Sequence, residues 1–303
     1  MQLMTCPEER MVSNDEGKLP EGTRIETPRL RVRGAKEIMR FYDGILGLDI
    51  SEANAGTYEV RERNAATARS DGEPLLELVV DESARPPSPS TAGLYHIALR
   101  VASERELADT IISIHRSGYG LDGFADHIVS RSAYLYDPEG NGYEVYCDMP
   151  ETDWREDRDG MVQMGTLPLD LEALLSHRSN AVTGPFPGGV SVGHVHLKVT
   201  DLTRSIEFYR YVLGFSVRND MTYLGAAFLA AGRYHHHIGL NTWQSRNGAA
   251  RTDTDSGLIG FSVRVPEGAQ RDAVVNKAIA SGGIFEGREL RITDPDGIHV
   301  YID

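Results

Sequence analysis

Cysteine is almost missing from this chain: Cys6 and Cys147 are the only two. Cys6 sits in a polar segment and Cys147 closes an apolar strand. No disulfide framework is therefore expected, and a cytoplasmic setting is the simplest reading. Long apolar runs are missing too. No stretch reaches the ~18 apolar residues of a spanning helix, so no membrane partner is expected. Basic charge is in deficit, with 31 Lys and Arg against 45 Asp and Glu. A net charge of -14 argues against a nucleic-acid surface. The first 23 residues have no apolar core behind a basic start, so they read as a polar, poorly ordered arm and not a secretory signal.

What the chain has instead is repetition. Its 303 residues suffice for about two domains. IMRFYDGILGLDI (38–50) matches IEFYRYVLGFSV (206–217), each reading as a helix end, a Gly stop and a strand. YLYDPEGNGYEVYCD (134–148) matches RITDPDGIHVYID (291–303), each an Asp-Pro-x-Gly turn entering an alternating strand. Strand-like runs open near 24, 93, 192 and 257, with helices expected near 104–117 and 268–281. Four units of strand, helix and further strands follow. The boundaries are an arm at 1–23, units one and two at 24–148, a connector at 149–190 and units three and four at 191–303. The connector holds the short helical candidate LDLEALLSH. Such a repeat specifies fold class, not function.

Strand side chains alternate between faces. Tyr95, Ile97, Leu99 and Val101 then form an apolar face, with His96, Ala98 and Arg100 opposite. Val195, Leu197 and Val199 oppose His194, His196 and Lys198; Tyr143, Val145 and Cys147 oppose Glu144 and Tyr146. If the polar faces curl around a groove, His96, Glu144 and His194 converge there. Two imidazoles and a carboxylate suit a facial metal site with open positions for other ligands. Imidazole accepts iron, zinc, copper or nickel alike, and ordinary surface histidines would show the same alternation. Spacing leaves both readings open.

The four-unit pattern, with GLYHIAL, DPEGNGYEVY, GHVHLKVTDL and YHHHIGLNTW, resembles the vicinal oxygen chelate superfamily. Within it the chain resembles the extradiol catechol 2,3-dioxygenases, and among these the Bacillus-type CatE group. The resemblance covers nearly everything after residue 24. It implies an α+β fold of four βαβββ modules paired into two glyoxalase/extradiol-dioxygenase-like domains. It also implies a non-haem Fe(II) enzyme, the same ligands accepting Mn(II), that opens a small aromatic diol with O₂ and is commonly a homo-oligomer. The extradiol signature appears as His127, Tyr134, Asp137, Pro138, Gly140 and Glu144, with Ala125 and Ala133 departing at loose positions.

Unit four departs further. Gly260 stands where unit two has His96, Tyr301 where it has Glu144, and Thr27 of unit one corresponds to His194. The expectation is an active groove between modules two and three, with His96, Glu144 and His194 as metal ligands. The resemblance implies His236 as the acid–base residue, assisted by His127 and Tyr134. Strand alternation instead groups His236 with Ile238 and Leu240, and His235 with His237 on the other face. No role is assigned to Arg100 or His196. Two other classes stay in view: another metalloenzyme of this fold, such as a glyoxalase-like isomerase or thiol transferase, and a non-catalytic ligand-binding protein.

Overall fold

Alternation, glycine stops and Asp-Pro-x-Gly turns produce four successive βαβββ modules. A computed structural model of the chain describes residues 17–63 and 73–303. Module one is β1 (Arg24–Val32), α1 (Ala35–Arg40), β2 (Asp49–Asn54), β3 (Thr57–Arg61) and β4 (Leu76–Val80). Module two is β5 (Gly93–Val101), α2 (Glu104–Arg116), β6 (Gly123–Asp126), β7 (Ser130–Tyr136) and β8 (Gly142–Asp148). The connecting segment carries α3 (Leu171–Ser176). Module three follows with β9 (Ser191–Lys198), α4 (Leu202–Glu207), β10 (Ser216–Met221), β11 (Ala226–Ala230) and β12 (Ile238–Asn241). Module four is β13 (Gly257–Arg264), α5 (Ala269–Ala280), β14 (Ile284–Glu286), β15 (Glu289–Thr293) and β16 (His299–Ile302).

The modules form two eight-stranded sheets. One runs β10-β11-β12-β9-β5-β8-β7-β6 and joins modules three and two. The other runs β14-β15-β16-β13-β1-β4-β3-β2 and joins modules four and one. The seam of the first is the antiparallel β5–β9 pair, with His96 opposite His196 and Ala98 opposite His194. Beside it, β8 runs parallel to β5 and sets Glu144 across from Ala98. Three strands, β5, β8 and β9, thus bring His96, Glu144 and His194 to one face.

The opposite face is the core. Ile97, Leu99 and Val101 pack in one apolar cluster with Leu107, Ala108, Ile111 and Ile114 of α2. That helix starts at Ser103, whose Oγ accepts the Glu106 N–H at 3.3 Å. The acidic residue of each Asp-Pro-x-Gly turn ties neighbouring modules together. Glu139 Oε1 accepts the Arg33 and Gly34 N–H groups, both at 2.6 Å, at the entrance to α1. Asp296 accepts the Thr200 N–H at 3.0 Å just before α4. Buried acceptors that meet otherwise orphaned helix-entry donors are retained because a bare buried N–H is costly.

Two details differ from the alternation. Tyr95 does not face the core: a register shift in β5 between Leu94 and His96 turns its ring to His196, 4.9 Å away between centroids. Leu94 packs against the core instead. A β-bulge of this kind adds one residue and breaks the period of two. The end of the expected polar arm is also not loose. Leu19 is buried in the core, and its N–H donates to the Gly214 carbonyl at 2.9 Å. Cys6 lies outside the described residues; Cys147 is a free, buried thiol. No helix among the described residues is long and apolar enough to cross a membrane.

Candidate metal centre

His96, Glu144 and His194 are all buried, and one ligand atom from each lies within 4.8 Å of the others. They form the one such group of three or more among the described residues. Glu144 Oε2 is 3.2 Å from His194 Nε2 and 2.9 Å from His96 Nε2. The two contacts differ: the His194 contact is a hydrogen bond, whereas His96 Nε2 is off axis and has no hydrogen-bond partner. Three lone-pair donors thus point at one small volume, with one buried nitrogen unsatisfied. An unsatisfied buried polar atom is rare and costly, and a cation between the three would satisfy it. The residues present fit a divalent metal.

Electrostatics favour the ligating forms. Burial pushes the Glu144 carboxyl up, but the hydrogen bond with His194 and the close approach of the His96 ring outweigh it and hold the group well below the usual carboxylate range. Burial lowers His194 to about 4, opposed by Glu144. An ionised carboxylate and a neutral imidazole are the states a metal needs. Ser132 Oγ donates to Glu144 Oε1 at 2.5 Å and so fixes the carboxylate plane.

The structure brings the other sequence-derived candidates around this point. His236 packs against His194 with ring centroids 4.0 Å apart and the rings tilted by 47°. It gets there from the loop between β11 and β12, since β12 begins only at Ile238. Strand alternation therefore does not apply to residues 235–237. His237 turns elsewhere, accepting the Ala231 N–H on Nδ1 at 3.2 Å. Burial pushes His236 well below the ordinary imidazole value, helped by the neighbouring His194 and His235.

His127 and Tyr134 form a pair across the mouth. His127 Nδ1 lies 2.7 Å from the Gly165 carbonyl oxygen and its Nε2 lies 2.6 Å from Tyr134 Oη. The carbonyl can only accept, so Nδ1 carries the proton and Nε2 accepts from Tyr134. Burial, with Glu144 nearby, raises Tyr134 well above the usual phenol value, so it stays protonated.

Residues that the sequence reading left without a role complete the surroundings. His196 Nε2 accepts from the Asn241 amide at 3.1 Å, while Tyr95 and Trp243 wall the same side, 5.3 Å apart between centroids. Phe228 lies 5.0 Å from His236. Behind the groove Tyr146 passes β9 at Gly193, where any Cβ would sit 1.8 Å from its hydroxyl. That hydroxyl meets Tyr234 Oη at 2.7 Å, and Tyr234 in turn contacts Asp148. Arg100 reaches Asp148 rather than the three candidate ligands, with Nη1 3.4 Å from Oδ2.

Comparisons with known proteins agree with this architecture. The chain is 33% identical over 280 residues to a Bacillus subtilis (strain 168) protein named catechol-2,3-dioxygenase, covering 91% of this chain and 95% of that one. Two solved structures share the fold at low identity. Glyoxalase I from Zea mays has a TM-score of 0.52 at 16% identity, over 92% of each chain. The cppA protein from Streptococcus pneumoniae TIGR4 has a TM-score of 0.57 at 11% identity, covering 94% of this chain and 99% of that one. A family model matches residues 24–145 and 191–302, and the chain belongs to the Glyoxalase/Bleomycin resistance protein/Dioxygenase superfamily.

Proposed function

We propose that the protein is an Fe(II)-dependent extradiol dioxygenase, with His96, Glu144 and His194 holding the metal. Mn(II) would suit the same ligands. The convergence of those three buried side chains, with His96 Nε2 unsatisfied where they meet, carries the reading. The relative named catechol-2,3-dioxygenase supports it. A bound metal supplies a Lewis-acidic centre that lowers the pKa of a hydroxyl placed on it, with open positions for diol and O₂.

The chain's own residues do the rest. Tyr95, Trp243 and Phe228 offer aromatic surface to a planar ring. His236 takes a proton from a diol hydroxyl and returns it as the ring opens; its lowered pKa keeps it a base at neutral pH. Tyr134 spends its O–H on His127, which leaves the phenol oxygen's lone pairs to accept from a hydroxyl of the substrate.

The test is direct. Fe(II)-loaded protein given catechol in air should consume O₂ and form a yellow ring-opened product. A hemithioacetal offered without O₂ should be left unchanged. Isomerisation of that thiol adduct with no O₂ uptake from any diol would overturn the proposal in favour of a glyoxalase-like reaction.

A further inference from the structure

We infer that Asp148 and His235 are positioning residues, holding His236 in the tautomer with Nδ1 protonated and the Nε2 lone pair free. The inference deepens the proposed function, and only its kinetic arm depends on that function. Three side chains stand in line. Asp148 Oδ1 lies 2.8 Å from His235 Nε2, and His235 Nδ1 lies 2.7 Å from His236 Nδ1. His236 then packs against His194. His235 is fully buried, with Trp154 5.2 Å away between ring centroids.

With both imidazoles neutral, the tautomers follow from donor and acceptor logic. A carboxylate only accepts, so His235 Nε2 carries its proton. A neutral imidazole has one N–H, so His235 Nδ1 is an acceptor. The atom facing it, His236 Nδ1, must then donate. His236 Nε2 is left with its lone pair and makes no hydrogen bond to any described residue. When Nε2 takes a diol proton, one O–H bond breaks and one N–H bond forms. The positive charge this creates on His236 is stabilised through His235 by Asp148, and the same proton leaves again from Nε2. This is the logic by which a buried carboxylate orients a catalytic histidine, lengthened by one imidazole.

Asp148 is itself held in place. Tyr234 Oη donates to it at 3.2 Å and 3.1 Å, and Arg100 approaches its Oδ2. Arg100 and Tyr234 also line a cavity of about 420 Å³ between the start of β1 and the start of β9, away from the three candidate ligands. In Asp148→Asn the amide oxygen should stay with Arg100 on the Oδ2 side. The NH₂ group then faces His235. A donor there makes His235 Nε2 an acceptor and reverses both imidazoles in turn.

The experiment is ring ¹H–¹⁵N correlation on ¹⁵N-histidine-labelled protein loaded with diamagnetic Zn(II), followed by kinetics on the Fe(II) form. In the parent protein His236 should show a protonated Nδ1 and an unprotonated Nε2, and Asp148→Asn should exchange them. His235→Phe, which keeps a ring in the buried space, should release the fixed tautomer and serves if Asp148→Asn folds poorly. With Fe(II), Asp148→Asn should lose ~10²-fold or more in kcat while KM and iron content stay near the parent values. His236 protonated at Nε2 in the parent, or unchanged in both variants, overturns the inference. Tautomers as expected in a protein that opens no diol would sink the ring-cleavage reading and leave the positioning intact.

Discussion

Arg29 lies over the ring of Tyr301, its guanidinium carbon 3.8 Å from the centroid. Tyr301 follows its Asp-Pro-x-Gly turn as Glu144 follows the corresponding turn in module two. Arg29 is paired across the sheet with Gly260, as His196 is with His96. The groove of modules four and one is thus filled by a protein cation where modules two and three place the candidate ligands. Glu289 clamps that cation at 2.9 Å and 2.7 Å, and Glu77 adds a carboxylate at 3.9 Å.

Removing Arg29 should therefore cost stability and leave the metal alone. Arg29→Met strands Glu289 and Glu77 and removes the cation–π contact, for a loss of about 2–3 kcal/mol once partial exposure is allowed for. Arg29→Met/Glu289→Leu should recover part of it. Urea titrations give the stabilities and metal analysis gives the occupancy. A fall in bound metal in the single variant would contradict this division of labour.

Glu144→Ala should abolish tight metal binding, because it removes the one carboxylate of the group and the acceptor for Ser132. Ser132→Ala should have a milder effect, roughly 10-fold in metal affinity, as expected for a group that orients a ligand. Equilibrium dialysis against Fe(II) or Mn(II) measures both. Full occupancy in Glu144→Ala would remove Glu144 from the ligand set.

His236 and His237 should separate by phenotype. His236→Ala should keep the metal and lose ~10²–10⁴-fold in rate. His237→Ala should mainly lower stability, since its Nδ1 satisfies the buried Ala231 N–H away from the groove. Steady-state turnover beside thermal unfolding decides the matter. A slow but stable His237→Ala would exchange the two assignments.

Acid should destabilise the metal-free chain below pH 6.5. Burial lowers His194 to about 4 and His237 to about 3, and it pushes His196 and His236 well below the ordinary imidazole value. These rings stay neutral in the folded chain while the unfolded chain takes up protons. The stability is present above pH 6.5 and is lost on acidification, by up to ~1.4 kcal/mol per pH unit for each group. Asp137 and Asp294, raised to about 6 by burial, act oppositely between about pH 4 and 6. Two carboxyls against four imidazoles leave a net loss. Urea midpoints at pH 8, 6 and 5 should fall in that order; a rise from pH 8 to 5 would contradict the sign.

Much of this was legible in the sequence because each module announces itself. The strand openings near 24, 93 and 257 coincide with β1, β5 and β13, and the Asp-Pro-x-Gly turns carry Gly140 and Gly297 at positive φ, where only glycine is unstrained. The ligand candidates were legible because β5, β8 and β9 keep a period of two through His96, Glu144 and His194. Tyr95 was not, because a bulge is a pairing event between strands and leaves no local mark. Residues 235–237 misled alternation because β12 starts one residue later. Asp148 drew no attention at the end of its strand, since its meaning lies in His235, a module away. Leu19 looked like part of a polar arm because its burial depends on Gly214 and not on its neighbours.

The register of β1 against β13 ties Arg24 to Arg264, and that span sets an order of events during synthesis. A nascent chain that has just released β12 already holds every strand of the sheet carrying His96, Glu144 and His194. At that moment β4 is available to β1, but β13, the partner of its other edge, has yet to be made. An open edge is where strands recruit the wrong partner. Closing so long a loop is also slow. The half of the molecule expected to be catalytically silent is therefore the half that is begun first and completed last.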